Sequence, residues 1–264
     1  MDKTDSQGES MIGSLTGAGT AKRELAYKFG VDPYTKFEPL RQQLASLSAA
    51  SALGGTATGI GFAFVTGGAG VAISVGSHSA TLRSMLRDKT AAELEEIGRQ
   101  QLARMNTDQA SINAFYRSQW LTPAGKAILI DALKRLGGVE NRSDFIRRAV
   151  QATSHKVAFL VLRRTQMTAA YHERVAPVRS IVSLGGVPMA LTNGGVVGVF
   201  PIDHLSWTRA FAGTVSSVNS GSKTLPGSPR VEMLITGTAS KLAVANLKKN
   251  GWQLKQRAGS LIGG

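Results

Sequence analysis

Between Gln42 and Leu82 the chain has no Asp, Glu, Lys or Arg, although 18% of all residues are charged. A stretch of this kind has to be buried, in protein or in lipid. Its middle, Leu53 to Val75, mixes Gly and Ala with Ile, Phe and Val. Small residues recur at Gly55, Gly59, Ala63 and Gly67. That spacing of four places them on one helical stripe, where two backbones can approach closely. One straight helix over this middle would span roughly 34 Å, enough to cross a hydrocarbon core. Two features argue for a bend instead. Each Gly costs about 1 kcal/mol of helix propensity relative to Ala, and Gly67-Gly68-Ala69-Gly70 reads as a turn. The expectation is an uncharged apolar hairpin over 42–82, buried in the core or an oligomer interface, or inserted in a membrane.

The flanking segments read as amphipathic helices. Residues 1–20 are rich in Ser, Gly and Thr and show no apolar face, so a flexible tail is expected. A short helix from Ala21 to Phe29 stops at Gly30, and Asp32-Pro33 makes a turn. Thr35 with Glu38, and Thr90 with Glu93, have capping-box spacing and open two further helices. Another helix follows over 108–119. Thr122-Pro123 pairs an N-cap with Pro at the first helical position, and Gly137-Gly138 ends that helix. From Ser143 the spacing predicts one long helix to about Val175, with the apolar run Val157–Leu162 buried at its centre.

At Pro177 the period changes from helical to two. Ile181 to Phe200 reads as β, with Thr192-Asn193-Gly194-Gly195 as a hairpin turn. Residues 214–230, rich in Ser, Gly and Pro, read as a loop. Val231–Thr236, Ala239–Lys249 and Trp252–Lys255 read as strand, helix and strand, with a crossover near the minimum for a parallel pair. The fold class is α+β: a mainly helical N-terminal two thirds with a Gly/Ala-rich apolar hairpin, then a small β or α/β C-terminal unit. The expected organisation is a tail over 1–20, a helical domain over 21–176 and the β-rich unit over 177–264.

Charge adds a partner to this picture. The net charge is +14, with a pI near 10.4, and the basic excess lies after Thr90. It favours a polyanion. Arg147 and Arg148 before the Val157–Leu162 run, and Arg163 and Arg164 after it, are the candidates for facing an anionic surface. The expected partners are an anionic membrane surface or an acidic protein, together with a second copy of the chain. Nucleic acid ranks below these, because it rests on charge alone with no recognition motif. The polar, acidic opening, with Asp2, Asp5 and Glu9, does not read as a leader. The expected location is therefore a membrane on its cytoplasmic side, or the cell envelope if an export signal has been trimmed. Trp120 and Trp207 read as core residues before lipid-interface anchors.

Catalytic motifs are sparse. With no cysteine, thiolate nucleophiles and Cys-based metal sites are excluded. The four histidines, His78, His155, His172 and His204, show no local zinc spacing. Gly59-Ile-Gly61 lacks the third Gly of a dinucleotide fingerprint, there is no phosphate loop, and Ser183-Leu-Gly-Gly186 is not a nucleophile elbow. No metal or cofactor is expected. One acid–base constellation could form, His172 with Asp203 and His204, if the end of the long helix meets the strand before them. The leading expectation is a non-catalytic, membrane-associated or assembly-forming protein of bacterial type. The alternatives are an enzyme using that His/Asp site and a nucleic-acid binder using the basic surface.

Overall fold

The computed structural model describes residues 18–52, 79–227 and 229–262. The heart of the expected apolar hairpin, with Gly55, Gly59, Ala63 and Gly67, lies outside the described residues. The fold is α+β: a mostly helical N-terminal region, then a mixed five-stranded sheet in the C-terminal part. Two compact units divide the chain, one of Met1–Arg104 with Leu121–Ile128, the other of Met105–Trp120 with Leu129–Gly264.

The first unit holds α1 (Ala18–Lys28), α2 (Glu38–Ala52), α3 (Ala80–Asp88) and α4 (Ala91–Arg104), plus the start of α6 (Pro123–Arg135). Helix α1 packs on α2 and α3, with Ala26, Leu40 and Leu44 buried together. Capping residues set the helix starts. Ser79 Oγ accepts from Leu82 N at 3.1 Å. The box at the head of α4 is closed in both directions: Glu93 N donates to Thr90 Oγ1 at 3.3 Å and Thr90 N to Glu93 Oε2 at 2.8 Å. The Thr35/Glu38 box does not form. Thr35 Oγ1 instead accepts from Phe37 N at 3.1 Å, closing a local turn one residue before α2.

The second unit holds α5 (Gln109–Arg117), the end of α6, α7 (Asp144–Val150) and α8 (His155–Arg174), then the sheet. The single helix expected from Ser143 to Val175 is two. Ser154 is extended, and its Oγ accepts from Val157 N at 3.3 Å, so it starts α8 afresh. Thr153 and Ser154 offer the backbone alternatives to helix, which is why the pattern breaks there. Arg142 ends α6 by donating to the carbonyls of Leu133 and Leu136, where the helix dipole favours a cation.

Strand order in the sheet is β1 (Val178–Leu184), β2 (Val187–Thr192), β3 (Gly195–Phe200), β5 (Val231–Ile235) and β7 (Trp252–Lys255). The first three strands are antiparallel; β3, β5 and β7 are parallel. The hairpin at Thr192–Gly195 is present, with Thr192 paired to Gly195. A second hairpin joins Leu184 to Val187 through Gly185 and Gly186, both at positive φ. The strand–helix–strand at the end is parallel, as expected, with α10 (Lys241–Lys249) as its crossover.

Of the loop expected over 214–230, residues 214–222 are helical, while 223–227 are turn and bend. Arg209–Ser222 is helix α9. Thr208 caps it, accepting from Phe211 N, and Val215, Val218 and Ser222 are its buried stripe. Packing of that stripe against the sheet outweighs the weak propensity of Ser and Gly. Alternation gives the parallel strands two buried faces. Val196, Met233 and Ile235 share a core with Val215, Val218 and Leu247 of α9 and α10, while Val197, Val199 and Leu234 are buried on the other side. A two-residue parallel pair, β4 (His204–Leu205) with β6 (Thr238–Ala239), lies beyond the strand ends. The chain closes on a 3-10 helix, Ala258–Ile262, against α8.

Candidate functional site

The apolar run of α8 is not buried all round. Ala158 and Leu162 are enclosed, but Val157 and Leu160 are each 40% exposed. They form one wall of a cleft of about 400 Å³ within the second unit. Helix α7 contributes Phe145, Arg148 and Gln151, and α8 adds Val161 and Arg164. The floor comes from Pro188 of β2 and from Phe200, Pro201 and Ile202, where β3 ends. The wall is aliphatic and aromatic except at the two arginines and Gln151.

The two cations are held in place by the protein. Arg148 donates to Gly186 O at 2.9 Å and to Ser183 Oγ at 3.2 Å, which ties α7 to the β1–β2 turn. Arg164 donates to Pro188 O at 2.5 Å, and its guanidinium carbon lies 4.2 Å from the centre of the Phe200 ring. Neither makes an ion pair with a carboxylate among the described residues. Burial, with the charge of Arg148 adding to it, brings Arg164 down to about 9. Burial, and then Arg147, lowers Arg148 from its ordinary range. Both cations therefore sit where water has been partly removed and no counter-charge among the described residues replaces it.

The other nominated arginines differ. Arg147 is exposed and pairs with Asp144 of its own helix. Arg163 donates to Gln166 Oε1 at 3.0 Å, and burial lowers its pKa. Of the four, the cleft brings Arg148 and Arg164 together.

No family model, curated protein or solved structure matches this chain.

The histidine constellation is placed as follows. His172 Nδ1 accepts from Val178 N at 2.9 Å, fixing the end of α8 to the start of β1. His204 is exposed, with Nδ1 3.3 Å from Thr238 Oγ1 across the β4–β6 pair. Asp203 is exposed and holds that corner through its main-chain carbonyl, which accepts from Thr238 N at 2.9 Å. No hydrogen bond joins Asp203 to either histidine among the described residues. Trp207 packs edge-on against Phe211 beside the sheet core, and Trp120 packs edge-on against His155. No group of His, Asp or Glu among the described residues could hold a metal ion. No helix among them is long and apolar enough to cross a membrane.

Sequence reasoning nominated the arginines but not the surface between them. Gln151, Phe200, Pro201 and Ile202 join the cleft only through the packing of α8 on β3. One signal was available. Ala158 and Leu162 are four apart, so Val157 and Leu160 cannot share their stripe and must turn elsewhere.

Proposed function

We propose that this is a non-catalytic protein that associates with anionic membrane surfaces. The observation that carries the reading is the opening of α8, which presents Val157 and Leu160 to solvent beside the exposed Lys156 and the part-exposed Arg163. Exposed Arg147 lies on the preceding helix. An aliphatic surface framed by cations suits the boundary between headgroups and acyl chains. Each Lys or Arg near an anionic leaflet adds about 1 kcal/mol of attraction, which salt screens over a Debye length of about 10 Å at 0.1 M. The net charge of +14 acts in the same direction at longer range. Arg164 is outside this surface, because its guanidinium is turned onto Phe200.

The uncharged segment 42–82 belongs to the same proposal. Gly55, Gly59, Ala63 and Gly67 would bring two apolar arms into close contact, within one chain or between copies. Co-sedimentation with vesicles separates the two contributions. Binding to anionic vesicles alone, lost at high salt, is the expected result and assigns association to the basic surface. Binding to neutral and anionic vesicles that survives high salt assigns it to insertion of 42–82. A chain that sediments with neither overturns the reading.

A further inference from the structure

We propose that the cleft between α7, α8 and the end of β3 binds a single-chain anionic amphiphile, a free fatty acid. Its carboxylate would pair with Arg148 and Arg164, and its chain would lie along Leu160 and Ile202. The inference goes beyond surface association and does not require it, although both readings use Val157 and Leu160.

Charge complementarity selects an anion. Arg148 and Arg164 line one apolar cleft, held by main-chain carbonyls only two residues apart, Gly186 and Pro188, and no carboxylate among the described residues pairs with either. A cation partly withdrawn from water and bonded only to neutral acceptors keeps an unbalanced charge, and a cleft that holds two such groups favours an anionic ligand.

Donor count and size define the ligand further. A guanidinium has five N–H donors. Arg148 gives two bonds to Gly186 and Ser183, and Arg164 gives one to Pro188. Each therefore keeps donors for a planar, two-oxygen acceptor, the geometry of a carboxylate. Apart from Gln151, the rest of the wall is apolar and suits a hydrocarbon chain. A cleft of about 400 Å³ lies low in the range of about 300–1,000 Å³ usual for ligand sites, which suits one alkyl chain and not the two of a phospholipid.

Isothermal titration of the full chain with decanoate, below its micelle concentration and without vesicles, tests the proposal. The expected result is one saturable site, with 1-decanol at least tenfold weaker because it keeps the chain and loses the charge. Acetate, which keeps the charge and loses the chain, is expected to give no measurable heat. Arg164→Met should weaken decanoate tenfold or more. Leu160→Glu alters an exposed position, so the fold is retained, and it should produce the same loss by setting a negative charge beside the chain. It decides the matter if the Arg164 variant does not fold. Equal binding of decanoate and decanol, uptake of several equivalents without saturation, no binding, or full affinity in Leu160→Glu would each overturn the site. The vesicle reading stands or falls separately: a chain that sediments with anionic vesicles but ignores decanoate keeps that reading and loses this one.

Discussion

Asp32 shows how one residue organises the first unit. It is 2% exposed, and its carboxylate accepts from Tyr34 N at 2.8 Å and from Thr122 Oγ1 at 2.5 Å. Burial raises its pKa above the ordinary 3.8, and the bonds from Thr122 and Tyr34 and the charge of Lys22 oppose the rise only in part. A folded-state pKa above the unfolded one means the folded form holds the proton more tightly. That contribution to stability is complete below the unfolded value, near 4, and is lost as pH rises through the folded one. Asp32→Asn can keep both hydrogen bonds while removing the titration. It is expected to raise the urea midpoint at pH 7.5 and to change it little at pH 4. Asp32→Ala loses both bonds and should cost about 1–3 kcal/mol at either pH. If Asn is as damaging as Ala at pH 7.5, the charge itself is what the turn requires. The sequence announced the Asp32-Pro33 turn and the Thr122 cap separately. Their meeting depends on tertiary packing that no local pattern encodes.

Helix starts were legible in part, because a cap is local chemistry. The Thr90 and Thr122 caps form as read, whereas the Thr35/Glu38 box does not, and the starts at Ser154 and Thr208 were missed. Ser154→Ala removes the Oγ that accepts from Val157 N and should cost about 1 kcal/mol in urea denaturation. An unchanged midpoint would mean that packing alone sets the start of α8. Strand ends were less legible, since what they require is space. At Gly237 an added Cβ would lie 1.8 Å from the Asp203 carbonyl oxygen. The backbones there are already joined, with Gly237 N donating to Ile202 O at 2.8 Å. A main-chain atom cannot move aside as a flexible side chain would, so Gly237→Ala is expected to cost about 1–3 kcal/mol by overpacking. A variant as stable as the parent would show that the β4–β6 corner can shift. Nothing in the run Thr236-Gly237-Thr238 signals this. The error over α9 has a similar origin: its Ser and Gly content pointed to a loop, while Val215, Val218 and Ser222, at helical spacing, carried the packing signal.

At the scale of the molecule, α+β class and the change of period near Pro177 were legible because helical and two-residue patterns occupy separate parts of the chain. The units were harder to read, because each is discontinuous in sequence. The second takes α5 from residues 105–120 before resuming at Leu129, and α5 packs on α7 with Ile112 and Phe115 buried. A fragment over 129–262 should therefore melt at a lower temperature than one over 105–262, by differential scanning calorimetry. Equal melting would show that α5 is dispensable to the unit. The sheet carries one more consequence, for how copies of the chain can meet. Its outer strands are β1 and β7. Glu140 occupies the β1 rim, donating to Arg179 O and accepting from Ile181 N, both at 2.9 Å, and the register slips between Val178 and Ser180. The β7 rim is four residues long and ends in Lys255. A blocked, bulged border on one side and a short, charged one on the other discourage strand-to-strand docking. Copies that assemble are expected to do so through side-chain surfaces and not by extending the sheet.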